Sequence, residues 1–61
     1  MFNKVFYATI DKVLIEEFIL EVGMPLPVTG EYVCLNEKHY QVTHRDFDYS
    51  KKLIVIIIEL T

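Results

Sequence analysis

Short runs of β-branched and aromatic residues alternate along this chain with polar or Gly/Pro breaks, a spacing that predicts strands. Residues 3–10 read as a first strand. Phe2, Phe6, Ala8 and Ile10 share one face with Lys4, and Val5, Tyr7 and Thr9 take the other. Asp11-Lys12 follows as a tight turn, although it lacks the glycine or asparagine that such turns favour. Residues 31–35 and 40–47 predict a hairpin. With Glu37-Lys38 in its turn, Leu35 faces Tyr40, Cys34 faces Gln41 and Val33 faces Val42; Val33, Leu35, Tyr40 and Val42 then form a face to be buried. Residues 53–60, Leu-Ile-Val-Ile-Ile-Ile-Glu-Leu, are apolar on both faces. That pattern suits a central strand covered on each side or a strand at a subunit interface. Left bare, it would be an aggregation hazard.

Two patterns compete over residues 13–22. Leu14, Ile15, Phe18, Ile19 and Val22 make an apolar stripe at helical spacing, with Asp11 to cap its start, Gly23 its end and Pro25 to stop it. As a strand, the same segment puts Leu14, Phe18, Leu20 and Val22 on one face and tolerates Glu16 there only near an edge. Pro25, Pro27 and Gly30 mark a rigid corner before the next strand.

The segment Pro25-Leu26-Pro27-Val28-Thr29-Gly30-Glu31-Tyr32-Val33 leads into a hairpin, then Tyr40-Gln41-Val42, then Phe47-Asp48-Tyr49 and an apolar last strand. This arrangement resembles small β proteins of bacteriophages and mobile elements, many of them uncharacterised. The resemblance covers residues 25–60 best and 2–22 loosely. It implies a compact meander or small barrel, favours a strand over residues 13–22, and brings no catalytic residues with it. The expected fold is therefore all-β: a five-stranded meander or small SH3-like, partly open barrel with strands near 3–10, 13–22, 31–35, 40–47 and 53–60. The alternative is α+β, ordered β-α-β-β-β, with a helix over 12–22.

Sixty-one residues make one small β-rich domain, and 52% of them are apolar, more than so limited an interior readily absorbs. The surplus points to a subunit interface. Cys34 is the sole cysteine, which excludes an internal disulfide; a small buried thiol is expected. With no secretory pattern behind Met1-Phe2-Asn3-Lys4 and no apolar run long enough to span a bilayer, the expected location is cytoplasmic. The net charge of −3 and the scatter of basic residues argue against nucleic acid.

Candidate chemistry is thin. Cys34, His39, His44, Asp46 and Asp48 are the residue types of a metal site, but His39 and His44 face opposite ways and only His44 and Asp46 share a face. His44 is expected to pair across the strands with Glu31. Glu16, Glu17, Glu21 and Glu31 lack a nucleophile or an oxyanion donor beside them, so no enzyme, cofactor or metal is expected. The leading expectation is a non-enzymatic protein-interaction module that self-associates, with a surface drawn from Tyr32, Tyr49, Ile54, Ile56 and Ile58. One alternative is a small nucleic-acid-binding barrel using Arg45, Lys51 and Lys52. Another, resting on the resemblance, is an inhibitor of a host protein.

Overall fold

The computed structural model describes residues 2–61, and all five strands within them join one sheet in the order β2-β1-β5-β4-β3. The strands are β1 (Lys4–Ala8), β2 (Leu14–Ile19), β3 (Tyr32–Leu35), β4 (Lys38–Asp48) and β5 (Leu53–Leu60). β1 and β2 form an antiparallel hairpin, β3, β4 and β5 form a meander, and a parallel pairing of β1 with β5 joins the two. The sheet curls into a partly open barrel, with β2 and β3 as its two edges.

Side chains of one parity fill the inside. Val5 and Tyr7 of β1, Tyr40 and Val42 of β4, and Ile54, Ile56 and Ile58 of β5 make the buried core. Val33 and Leu35 of β3 pack against it, and so do Leu20, Met24 and Leu26 from the connector between β2 and β3. The connector is pinned at both ends. Leu20 N–H donates to the Asn3 carbonyl at 2.9 Å, and Gly30 N–H donates to the Val42 carbonyl at 2.8 Å. Gly30 carries a φ of +95°, which glycine adopts without the clash a Cβ would bring.

Residues 14–19 form a strand, so the helical alternative for 12–22 does not occur. The cause is long-range pairing. Lys12 N–H donates to the Thr9 carbonyl at 2.9 Å and Thr9 N–H to the Val13 carbonyl at 3.0 Å, which turns the chain back along β1. The ladder to β1 then satisfies backbone groups that a short isolated helix would have to satisfy by itself. Its register shifts between Tyr7 and Ala8 and leaves Ile15 at a bulge.

The β3–β4 turn also differs from expectation. Asn36 and Glu37 occupy it, with φ of +52° and +67°, so Leu35 pairs with Lys38, Cys34 with His39 and Val33 with Tyr40. Two positive φ values in a two-residue loop match the twist of a hairpin, and asparagine accepts that conformation. The expected pairing is displaced by two residues. Side chains alternate with period two, so Val33, Leu35, Tyr40 and Val42 still point to the same side. Cys34 has the opposite parity on an edge strand and is exposed, not buried as its residue type suggested.

Candidate interaction surface

The outward side of the sheet begins with register. Phe6 pairs with Val55, Ala8 with Ile57 and Lys4 with Leu53 across the parallel β1–β5 ladder. On the other flank, Asp46 pairs with Val55, Asp48 with Leu53 and His44 with Ile57. Leu53, Val55 and Ile57 thus form an apolar row along the outside of the middle strand, each only partly buried. Phe6 and Ala8 extend the row onto β1, and Leu14, opposite Ala8, extends it onto β2.

These six residues floor a shallow groove of about 600 Å³, with Lys12, Lys51, Asp46 and Asp48 at its rim. Asp48 is held in a local turn: its Oδ1 accepts from Ser50 Oγ at 2.7 Å and from Lys51 N–H at 3.0 Å. The hydrogen bond from the Lys51 backbone N–H, followed by that from the Ser50 hydroxyl, holds the Asp48 carboxyl below its ordinary pKa. Lys4 Nζ and Glu17 Oε2 form an ion pair at 3.0 Å farther out on the same side. Ile10, Val13, Leu14, Ile19 and Val22 are all exposed around β2 and its flanking loops.

The residues expected to form an interaction surface divide. Tyr32 and Tyr49 are exposed, at 67% and 77%. Ile54, Ile56 and Ile58 are not: they are at most 2% exposed and belong to the core, because they share the parity of Val42 and Val5. The outward face of β5 is the alternate set, which the sequence reading passed over. Glu59 was the signal that marks it. The one charged residue in β5 is exposed and shares its parity with Leu53, Val55 and Ile57. Lys12 and Asp46 also went unremarked as rim residues, since only the hairpin turn and the β4–β5 register bring them to one groove.

Tyr49 belongs to an aromatic cluster at the other side of the β4–β5 turn. Its ring lies 5.1 Å from Phe2, which meets Phe47 edge-on at 5.6 Å. Arg45 lies over the Phe47 ring at 5.5 Å and so takes the inner parity of β4, opposite Ile56. Lys51 instead lines the outer groove. Arg45, Lys51 and Lys52 therefore do not meet in one basic patch.

His44 and Asp46 do share the outward side of β4, opposite Ile57 and Val55. His44 Nδ1 lies 3.2 Å from Thr43 Oγ1, and the Glu31 carboxylate accepts from Val28 N–H at 2.8 Å, so the expected His44–Glu31 pairing is absent. Among the described residues no group of three or more His, Cys, Asp or Glu side chains is placed to hold a metal ion, and no helix is long and apolar enough to cross a membrane. The chain matches no family model, no curated protein and no solved structure.

Proposed function

We propose that this chain is a non-enzymatic protein-interaction module that self-associates. The observation that carries the reading is the open apolar surface: the outward row of β5 continues through Phe6 and Ala8 to exposed Leu14 on the edge strand β2. A monomer that stays in solution rarely leaves so continuous an apolar surface uncovered, and covering it with another chain removes it from water. The resemblance to small phage and mobile-element proteins adds a host protein as the other class of partner, competing for the same surface. Nucleic-acid binding draws less support, because Arg45 and Lys51 lie on opposite faces of the sheet.

Sedimentation velocity over a range of micromolar protein concentrations tests the reading. A mass that rises with concentration toward a multiple of 7.2 kDa is expected. A constant monomer mass across the range overturns self-association.

A further inference from the structure

Resting on the self-association reading, we infer that two copies of this chain pack face to face through the outer groove, related by a two-fold axis lying in the plane of contact. β1 and β5 run the same way, from Lys4 and Leu53 at one end to Ala8 and Ile57 at the other. Lys12 lies in the hairpin loop beyond Ala8, at the Ile57 end on the β2 side. Asp46 and Asp48, paired with Val55 and Leu53, lie toward the opposite end on the β4 side. Lys12 and Asp46 therefore occupy diagonally opposed corners of an apolar floor, while Lys51, in the turn between β4 and β5, stands beside Asp48.

A two-fold axis along the other diagonal exchanges those corners. It sets Lys12 of each copy against Asp46 of its partner, twice per dimer, and brings Val55 and Phe6 near the axis, where each apolar floor covers the other. Such an interface is self-complementary, as a closed dimer requires. The strands of the two sheets cross steeply, in the orthogonal class of sheet packing.

Charge selects this occupant over others. The rim carries two lysines and two aspartates and is balanced, so the chain's net −3 resides elsewhere on the molecule. A strongly acidic or strongly basic partner would meet as much repulsion as attraction here, whereas a second copy turned about the diagonal meets its complement. Lys12 and Asp46 are also free to pair between copies: the ion pair within the chain, among the described residues, joins Lys4 to Glu17 instead.

Charge reversal tests the geometry, with mass and affinity read by sedimentation and folding read by circular dichroism. Lys12→Asp and Asp46→Lys should each weaken the dimer roughly tenfold or more, since two exposed pairs are lost per interface and replaced by repulsion. The combined Lys12→Asp, Asp46→Lys chain should recover most of that loss. Val55→Lys places an ammonium in the middle of the contact while facing Asp46 within its own sheet, and should give a folded monomer. If the native chain dimerises but Val55→Lys and both reversals leave the affinity unchanged, the groove is not the interface, although self-association stands. Reversals that weaken the dimer without rescue in the combined chain overturn the diagonal pairing. A native chain that stays monomeric at every concentration overturns the self-association reading and this inference with it.

Discussion

The two sides of β5 carry nearly the same chemistry and have different fates. Ile54, Ile56 and Ile58 are sealed among Val5, Tyr7, Tyr40 and Val42, while Leu53, Val55 and Ile57, one position out of phase, face a groove open to water. Hydropathy does not distinguish the two sets. What separates them is curl: a sheet that bends toward one side closes that side with its own strands and connector and leaves the other without cover. The inward set then accounts for the stability of the fold, and the outward set is available for contact with another chain.

The largest test of that contrast is truncation on each side. Ile56→Ala should cost roughly 2–5 kcal/mol by removing buried methyl groups and leaving a cavity. A domain of this length has only about 3–9 kcal/mol in all, so chemical denaturation should find the variant close to unfolding. Val55→Ala, one residue away, should cost under about 1.5 kcal/mol when measured on the monomer, since its side chain is only partly withdrawn from water. Equal losses at the two positions would mean that both faces are covered in the isolated chain.

Titration sharpens the same comparison. Burial raises the pKa of the Tyr7 phenol above its ordinary 10.0. The folded chain therefore favours the neutral phenol, and the stability this provides is complete below pH 10.0 and is lost as pH climbs through the raised value. Urea midpoints followed from neutral to alkaline pH should fall, and Tyr7→Phe should lessen the fall. A parallel decline in both chains would leave Tyr7 no part in it.

Effects on the outward side should be smaller. A double-mutant cycle on Lys4 and Glu17, both half exposed, should give a coupling of about 0.2–1 kcal/mol that shrinks as salt is added. Smallest of all is Asp48, whose carboxyl accepts two local hydrogen bonds at the surface and lies below its ordinary pKa. Its contribution is present above the unfolded pKa and fades as pH falls through the lowered folded value, so Asp48→Asn should flatten a slight acid-side loss of stability. An acid-side slope identical to that of the native chain would remove Asp48 as its source.

Turn chemistry explains part of what the sequence left illegible. Lys12, Glu37 and Lys52 all adopt positive φ, where glycine is the usual choice, so the turns lacked their ordinary marks. The strands were easier: residues 53–60 coincide with β5, and the pairing of 31–35 with the following strand survived a two-residue error in register because parity did. The candidate surface was less legible. Its β5 row was hidden in a run with no alternation, and only Glu59 indicated the phase.

By itself, the sequence determined that this chain forms short strands, that Val33, Leu35, Tyr40 and Val42 face one way, and that the last strand has two apolar sides. Tertiary structure alone decided that residues 14–19 extend along β1, that β5 lies between β1 and β4, and which side of β5 is enclosed. The physical reason is range. Side-chain alternation is a local property of the backbone, whereas strand order, register and curl depend on hydrogen bonds between segments as far apart as Lys4 and Leu53.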